Sequence, residues 1–197
     1  MVYAYGMYAL AVRWNRLFLV YVALFGLSLF AFIFGLVRTD AVGIRAELSP
    51  RAPVRTVAAY LSSIAALVAV LWLAEEVPAV LGGVVPPSVG QFETPTNIVH
   101  VFDLAVVLPA MLIAAVQLLK DRPWGYVLAG VLLVKAATIG LWVVTMIWFS
   151  ARQGYGAPAA YTGFFVLLTV VGGVLAWRFT TAERKHEWLP LPKNPKT

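Results

Sequence analysis

Apolar residues in this chain form five long runs, separated by short connectors that contain polar residues or prolines. The runs cover residues 17–37, 56–77, 95–119, 124–149 and 159–179. Each is long enough to cross about 30 Å of hydrocarbon as a helix, which takes roughly 20 residues. Because backbone polar groups in lipid must be satisfied within the segment, the pattern predicts an all-α, polytopic membrane bundle that forms a single domain over residues 1–197.

The apolar stretch at residues 1–12 is too short to span a bilayer. We expect it to lie at the membrane interface, anchored by its tyrosines, Tyr3, Tyr5 and Tyr8. Alternatively, it is the end of a helix that begins upstream of Met1, which would make six spans with both termini inside. Tryptophans near the span ends are expected to be interfacial anchors; they are Trp14, Trp72, Trp124, Trp148 and Trp188.

Basic residues are distributed unevenly between the two sides of the predicted bundle. With the N terminus outside, eleven of the 15 Lys and Arg residues fall on the inside, namely Arg38, Arg45, Arg51, Arg55, Lys120, Arg122, Arg178, Arg184, Lys185, Lys193 and Lys196. The outside has only Arg13, Arg16 and Arg152. Cytoplasmic loops carry such an excess, so we predict an N-out, C-in protein with a disordered cytoplasmic tail over 180–197.

Composition narrows the classes of protein further. With 61% hydrophobic and 12% charged residues, the chain has too few polar side chains to cover a water-facing globule, so the lipid bilayer is its first partner. The net charge of +6 does not indicate nucleic-acid binding, because the basic residues lie in particular loops. Cysteine is absent, which excludes thiolate nucleophiles and cysteine metal sites. Abundant alanine and valine are compatible with a prokaryotic plasma membrane.

Prolines and glycines predict where the helices end or bend. Pro78, Gly82, Gly83, Pro86 and Pro87 predict a loop over 78–91. In the third span, Thr94 is a candidate N-cap before Pro95, and Pro109 predicts a kink. In the fifth span, small residues predict close helix approach at Gly163, Gly172 and Gly173.

Three ionisable residues, His100, Asp103 and Lys135, lie within the predicted spans. Placing a charge in hydrocarbon costs free energy, so an ionisable residue within a span is by default a candidate for a functional site. His100 and Asp103 share a helix face, and a lysine stem is long enough for Lys135 to point toward Asp103. The spacing therefore predicts a buried polar site that exchanges protons or binds a ligand, or else a structural ion pair that sets helix register.

The fourth span contains a polar stripe of Lys135, Thr138, Trp142 and Thr145, spaced three, four and three residues apart. We expect this stripe to face the bundle interior, with Trp142 packing in the core or lining a pocket. The opposite face should contact lipid or neighbouring helices; it includes Leu133, Ile139 and Val143.

Acidic residues at the predicted outer rim are Glu75, Glu76 and Glu93. They either lie in water at the membrane edge or form an acidic vestibule that attracts a cationic ligand toward His100 and Asp103. Their spacing matches no recognised metal signature, so we expect no metal and no cofactor.

The sequence favours proton-linked transport or small-ligand binding. In this interpretation Asp103 and His100 carry protons and Lys135 is the counter-ion. The entrance is formed by Glu75, Glu76 and Glu93. The alternative is a non-catalytic assembly subunit, in which the Asp103 and Lys135 pair is structural and the chain binds a membrane partner or a second copy. An enzyme is least favoured, because no phosphate loop, GxSxG or HExxH motif occurs. A transport role also predicts a water-accessible cavity between the second, third and fourth spans.

Overall fold

The structure is a computed structural model that describes residues 1–11, 15–48, 52–92, 94–152, 154 and 159–182. Within these residues the chain forms nine α-helices and one π-helical segment. They are α1 (Val2–Ala11), α2 (Phe18–Val37), α3 (Ala41–Glu47), α4 (Val54–Gly82), α5 (Pro87–Phe92), α6 (Ile98–Phe102), the π segment (Asp103–Val107), α7 (Leu108–Leu119), α8 (Pro123–Arg152) and α9 (Ala159–Thr180).

Five helices are long and apolar enough to cross a membrane, which confirms the predicted all-α membrane bundle. They are α2, α4, the continuous run from α6 through the π segment to α7, α8 and α9. The third span starts at Ile98 rather than at the predicted Thr94 cap. Asn97 occupies the N-cap position and its side chain makes no capping hydrogen bond. The predicted tail falls almost wholly outside the described residues.

The predicted loop over 78–91 is wrong for most of its length. Helix α4 continues through Pro78 and ends only at Gly82. A proline inside a helix removes one backbone donor, and here the loss falls near the end of a helix of 29 residues. The next residue, Gly83, has a φ of 63°, a left-handed conformation that glycine adopts readily and that ends the helix. Helix α5 then fills the second half of the predicted loop.

The distortion expected at Pro109 takes the form of a π-helical segment. Proline has no N–H to donate to the carbonyl of Ala105. Just before it, the Leu108 N–H bonds to the carbonyl of Asp103, five residues back instead of four. Insertions of this kind are a common way for a long helix to absorb such a defect. The π segment begins at Asp103, one of the predicted site residues.

The core lies where α4, α7 and α8 meet, and α9 packs on α8 and adds Leu175 and Phe179 to this core. Its largest fully buried side chains are Leu61, Leu118, Leu133 and Val57. Tyr60 of α4 donates a hydrogen bond of 2.9 Å to the Leu168 carbonyl of α9.

Of the three glycines predicted to allow close helix approach, only Gly172 has a close neighbour among the described residues. A Cβ on Gly172 would lie 2.7 Å from the Tyr60 hydroxyl. Gly163 and Gly173 have no described atom within 4 Å of a Cβ. Two glycines of α8 also allow close helix approach. Gly125 lies against the backbone of α7, and Gly140 lies against α9.

Helices α1 and α2 form an antiparallel hairpin beside this core. Tyr8 stacks on Tyr21 at 5.1 Å, and Gly6 lies between Phe25 of α2 and Phe102 of α6. The hairpin thus contacts the bundle through α1, whereas no residue of α2 is buried. The expectation that residues 1–12 form an interfacial segment is wrong for Tyr3, because its side chain inserts toward Asp103.

The opposite end of the bundle is held by the turn between α7 and α8. Asp121 has a φ of 56°, and the Arg122 N–H bonds to the Gln117 carbonyl, closing a Schellman motif. The Asp121 carboxylate accepts two hydrogen bonds from the Arg45 guanidinium of α3 and one from the Tyr126 hydroxyl. This contact ties α3, which is capped by Asp40, to the start of α8.

Candidate functional site

Asp103 accepts hydrogen bonds from two aromatic side chains that come from different helices. The Tyr3 hydroxyl of α1 donates to Oδ1 at 3.0 Å, and the Trp72 indole N–H of α4 donates to Oδ2 at 3.1 Å. Each carboxylate oxygen therefore has a neutral hydrogen-bond donor. These bonds reduce the free-energy cost of moving an ionised carboxylate out of water. Trp72, which was expected to be an interfacial anchor, thus also contributes its indole N–H to the site.

Lys135 of α8 reaches the same region, and Tyr3 contacts both Lys135 and Asp103. The Lys135 ammonium sits 3.7 Å from the centroid of the Tyr3 ring, which is cation–π geometry. Among the described residues, no ion pair within 4.0 Å joins Lys135 to Asp103. The observed contact of the lysine is therefore with the phenol ring of Tyr3.

His100 is the most deeply buried of the predicted site residues, with 7% of its surface exposed. Its ring stacks on the Trp72 indole, with centroids 4.1 Å apart. Its Nδ1 lies 2.6 Å from Oε1 of Glu76. Because an ionised carboxylate only accepts hydrogen bonds, this contact selects the tautomer with hydrogen on Nδ1 and leaves Nε2 as the acceptor of a neutral ring.

The two glutamates near the end of α4, Glu75 and Glu76, both accept hydrogen bonds from other residues. Glu75 Oε1 accepts from the backbone N–H of Ser88 at 2.9 Å and lies 2.6 Å from the Ser88 hydroxyl. That hydroxyl also lies 2.8 Å from Asn97 Oδ1, and its single hydrogen serves one acceptor at a time. Asn97 Nδ2 in turn donates to Glu76 Oε1 at 2.5 Å. Glu93, the third member of the predicted vestibule, lies outside the described residues.

A groove of about 360 Å³ opens beside these groups. Its lining consists of Glu76, Thr96, Asn97, His100, Val101, Leu104 and Ala105. The groove therefore lies between α4 and the first half of the third span, and no residue of α8 lines it. The cavity expected between the second, third and fourth spans is found only between the second and third.

Apart from Lys135, the residues of the polar stripe predicted on α8 do not face the interior. Thr138, Trp142 and Thr145 are exposed, and 54% of the Trp142 surface is accessible. Leu133 and Val143, which were expected to contact lipid or neighbouring helices, are buried. The threonine hydroxyls donate to carbonyls of their own helix, at 2.9 Å for Thr138 and 2.8 Å for Thr145. Such bonds satisfy the hydroxyls internally, so these side chains can face lipid.

Four residues of the site were not predicted as site residues: Tyr3, Trp72, Ser88 and Asn97. For Trp72 a signal exists in the sequence, because it precedes Glu75 and Glu76 by three and four residues and so shares their helix face. For Tyr3 no such signal exists, since 100 positions separate it from Asp103.

The contacts among the described side chains do not join His100 to Asp103 by an unbroken chain of hydrogen bonds. Trp72 connects the His100 stack to Asp103, and an indole N–H donates a hydrogen bond but cannot accept one. Proton exchange at His100 and Glu76 is therefore separated from Asp103 along the observed contacts. Within the described part of the chain, no three His, Asp or Glu side chains converge as a metal site.

Comparisons of the chain with protein-family models, with curated proteins and with solved structures find no match.

Proposed function

We propose that this integral membrane protein binds a small ligand at the groove beside His100, and that the Glu76 and His100 pair exchanges a proton as the ligand binds. One observation carries the proposal: Glu76 Oε1 holds His100 Nδ1 at 2.6 Å while both residues line an open groove. A carboxylate that orients an imidazole and fixes its tautomer is a common way to prepare the second nitrogen of a histidine for ligand or proton contact.

The surrounding charges support a site whose occupancy depends on protonation. Glu76 faces His100 from α4, and among the described residues Glu75 and Asp103 are further charged groups near it. Protonation of His100 converts its ring into a cation beside Glu76, which changes the net charge of the groove by one. A ligand that interacts with either nitrogen or with the carboxylate would then bind differently to the two protonation states.

Asp103 and Lys135 are assigned a supporting role in this proposal. Both side chains contact Tyr3, so they hold α1 against the third and fourth spans. Asp103 also fixes Trp72, and Trp72 forms one face of the His100 stack. The pair therefore positions the walls of the site rather than contacting the ligand.

Binding is favoured over transport by the packing below the site. Deeper in the bundle, the α4, α7 and α8 interface is filled by apolar side chains, with Leu61, Leu118 and Leu133 fully buried. The groove stops at Ala105 and does not reach Lys135. Movement of a ligand across the membrane would require the core to open, whereas binding at the groove requires no such change.

A thermal-shift screen tests the proposed function. The purified protein in neutral nanodiscs is heated with small organic cations, anions and uncharged molecules, and the same set is applied to His100→Gln. We expect at least one class to raise the melting temperature of the wild type, to do so to a pH-dependent extent, and to lose its effect in the variant. Equal shifts in both proteins for every class would contradict the proposal.

A second candidate, the assembly subunit, is favoured by α2. This helix of 20 residues has no buried position and packs only on α1 among its main contacts. A partner helix or a second copy would give it the packed face that the other spans already have. Native mass spectrometry from nanodiscs tests this candidate: a dimer or higher assembly that dissociates when Gly26 and Gly35 of α2 are changed to leucine would support it, and a monomer would oppose it.

We place the protein in the plasma membrane of a prokaryote as part of the same proposal, from composition and from the distribution of basic residues.

A further inference from the structure

The groove beside His100 has a polar end and an apolar end arranged along the third span. Asn97, His100, Val101, Leu104 and Ala105 follow one another at intervals of three, one, three and one residues, so they form one helix face. The eight steps from Asn97 to Ala105 correspond to about 12 Å along the helix axis. The face changes from amide and imidazole to aliphatic side chains over that distance.

The polar end of the groove presents acceptors without an opposing cation. Glu76 receives hydrogen bonds from Asn97 and His100 on Oε1. Its Oε2 has no hydrogen bond among the described residues, and neither has His100 Nε2. No lysine or arginine lines the groove. A carboxylate oxygen and an imidazole nitrogen together suit a group that donates two hydrogen bonds and carries positive charge.

The apolar end is shaped by the π segment. Leu104 and Ala105 lie within it, and 49% of the surface of Val101 just before it is exposed. The additional residue in a π turn shifts the side chains that follow relative to a regular helix. The small Ala105 side chain leaves room at the base of the groove, on the surface of the bundle that lipid would cover.

We infer that the groove binds an amphiphile with a protonated primary amine and a single alkyl chain. The ammonium group donates to Glu76 Oε2 and His100 Nε2, and the chain lies along Val101, Leu104 and Ala105. This inference rests on the proposed function, because it names the ligand class of the same site. Carboxylates and phosphates are disfavoured, since they would meet Glu76 without a basic side chain in the groove lining.

The test uses decylammonium, decanol and decanoate, which share one alkyl chain and differ in the charge of the head group. The protein carries His186→Gln, so that His100 is its one histidine, and is ¹⁵N-labelled at histidine in neutral nanodiscs. Each probe is added to the same mole fraction of the lipid, and the imidazole signals of His100 are followed by NMR. We expect a saturable shift with decylammonium alone.

Two substitutions separate the head-group contact from the chain contact. Glu76→Gln should weaken decylammonium binding about tenfold or more, because a charge-assisted hydrogen bond is lost. Glu47→Gln is the control for the loss of a carboxylate, since Glu47 lies on α3 and does not line the groove. Ala105→Leu fills the base of the groove without touching a polar atom, so it should weaken binding even if Glu76→Gln disturbs the fold.

The outcomes distinguish this inference from the proposed function. Equal responses to decylammonium and decanol, or no effect of Ala105→Leu, would overturn the assigned ligand class. A different outcome is that decanoate or decanol, and not decylammonium, shifts the His100 signals. If that probe also raises the melting temperature of the wild type but not of His100→Gln, the proposed function stands and the amine assignment fails. If none of the three probes acts and the wider screen shows no His100-dependent ligand, both fail.

Discussion

The Tyr3 hydroxyl donates a hydrogen bond of 3.0 Å to Asp103 Oδ1, and its ring lies under the Lys135 ammonium. One side chain near the start of the chain thus contacts both ionisable residues that the sequence suggests as a direct pair. It connects α1 to the third and fourth spans, and it does so where the surroundings are too apolar for either charge to be solvated well.

Tyr3→Phe should destabilise the protein by about 1–3 kcal/mol, because a buried carboxylate loses one of its two donors while the ring is kept. The free energy of unfolding is measured by SDS titration in mixed micelles. Tyr5→Phe is the matched control, since Tyr5 lies on the same helix and its hydroxyl makes no hydrogen bond among the described residues. Equal effects of the two substitutions would mean that the hydroxyl contact to Asp103 contributes nothing to folding.

Lys135 should be coupled more strongly to Tyr3 than to Asp103. A cation over an aromatic ring contributes about 0.5–2 kcal/mol depending on desolvation. Lys135 makes this contact with Tyr3, whereas no ion pair within 4.0 Å joins it to Asp103 among the described residues. Double-mutant cycles with Lys135→Met, Tyr3→Leu and Asp103→Asn measure both couplings on the same unfolding scale. A larger coupling energy for Lys135 with Asp103 than with Tyr3 would contradict the observed order of contacts.

Gly125→Ala should destabilise the hairpin of α7 and α8 by about 1–3 kcal/mol. A Cβ there would lie 2.4 Å from the Leu118 nitrogen and 2.6 Å from the Gln117 carbonyl carbon, and backbone atoms cannot move aside as a flexible side chain can. Gly130→Ala on the same helix is the control, because no described atom lies within 4 Å of its Cβ position. That control should be neutral or stabilising by up to about 1 kcal/mol, since alanine is the better helix former. If both changes have the same effect, α7 and α8 are not in close contact at Gly125.

The contact of Asp121 with Arg45 should make stability depend on acid pH. Hydrogen bonds from Arg45 and then Tyr126 lower the pKa of Asp121 from 3.8 to about 2. Because the folded-state pKa is the lower one, the stabilisation is present above about pH 4 and is lost as pH falls toward 2. Both side chains are exposed, so the effect is small and weakens with salt.

Asp121→Asn isolates this dependence while keeping a residue that tolerates the left-handed conformation observed there, with φ 56°. The melting temperature is followed from pH 5 to pH 2 for both proteins at low and high salt. The wild type should lose stability over this interval relative to the variant. Parallel curves would show that the contact to Arg45 does not stabilise the folded state.

The sequence by itself determined the architecture, because apolar runs of membrane-spanning length have few other ways to satisfy their backbone in lipid. The predicted spans 17–37 and 159–179 agree with α2 and α9 to within one residue at each end. It also identified His100, Asp103 and Lys135, since charges stand out where almost every neighbour is apolar.

Only the tertiary structure decided which partners these residues have. Periodicity places residues on one helix face but leaves open how that helix is rotated, so Thr138 and Trp142 were expected inside and are exposed. A proline predicts a lost hydrogen bond but not whether neighbouring turns retain the helix, as at Pro78. The Tyr3 contact depends on α1 folding back onto the bundle, and no local pattern encodes a contact across 100 positions.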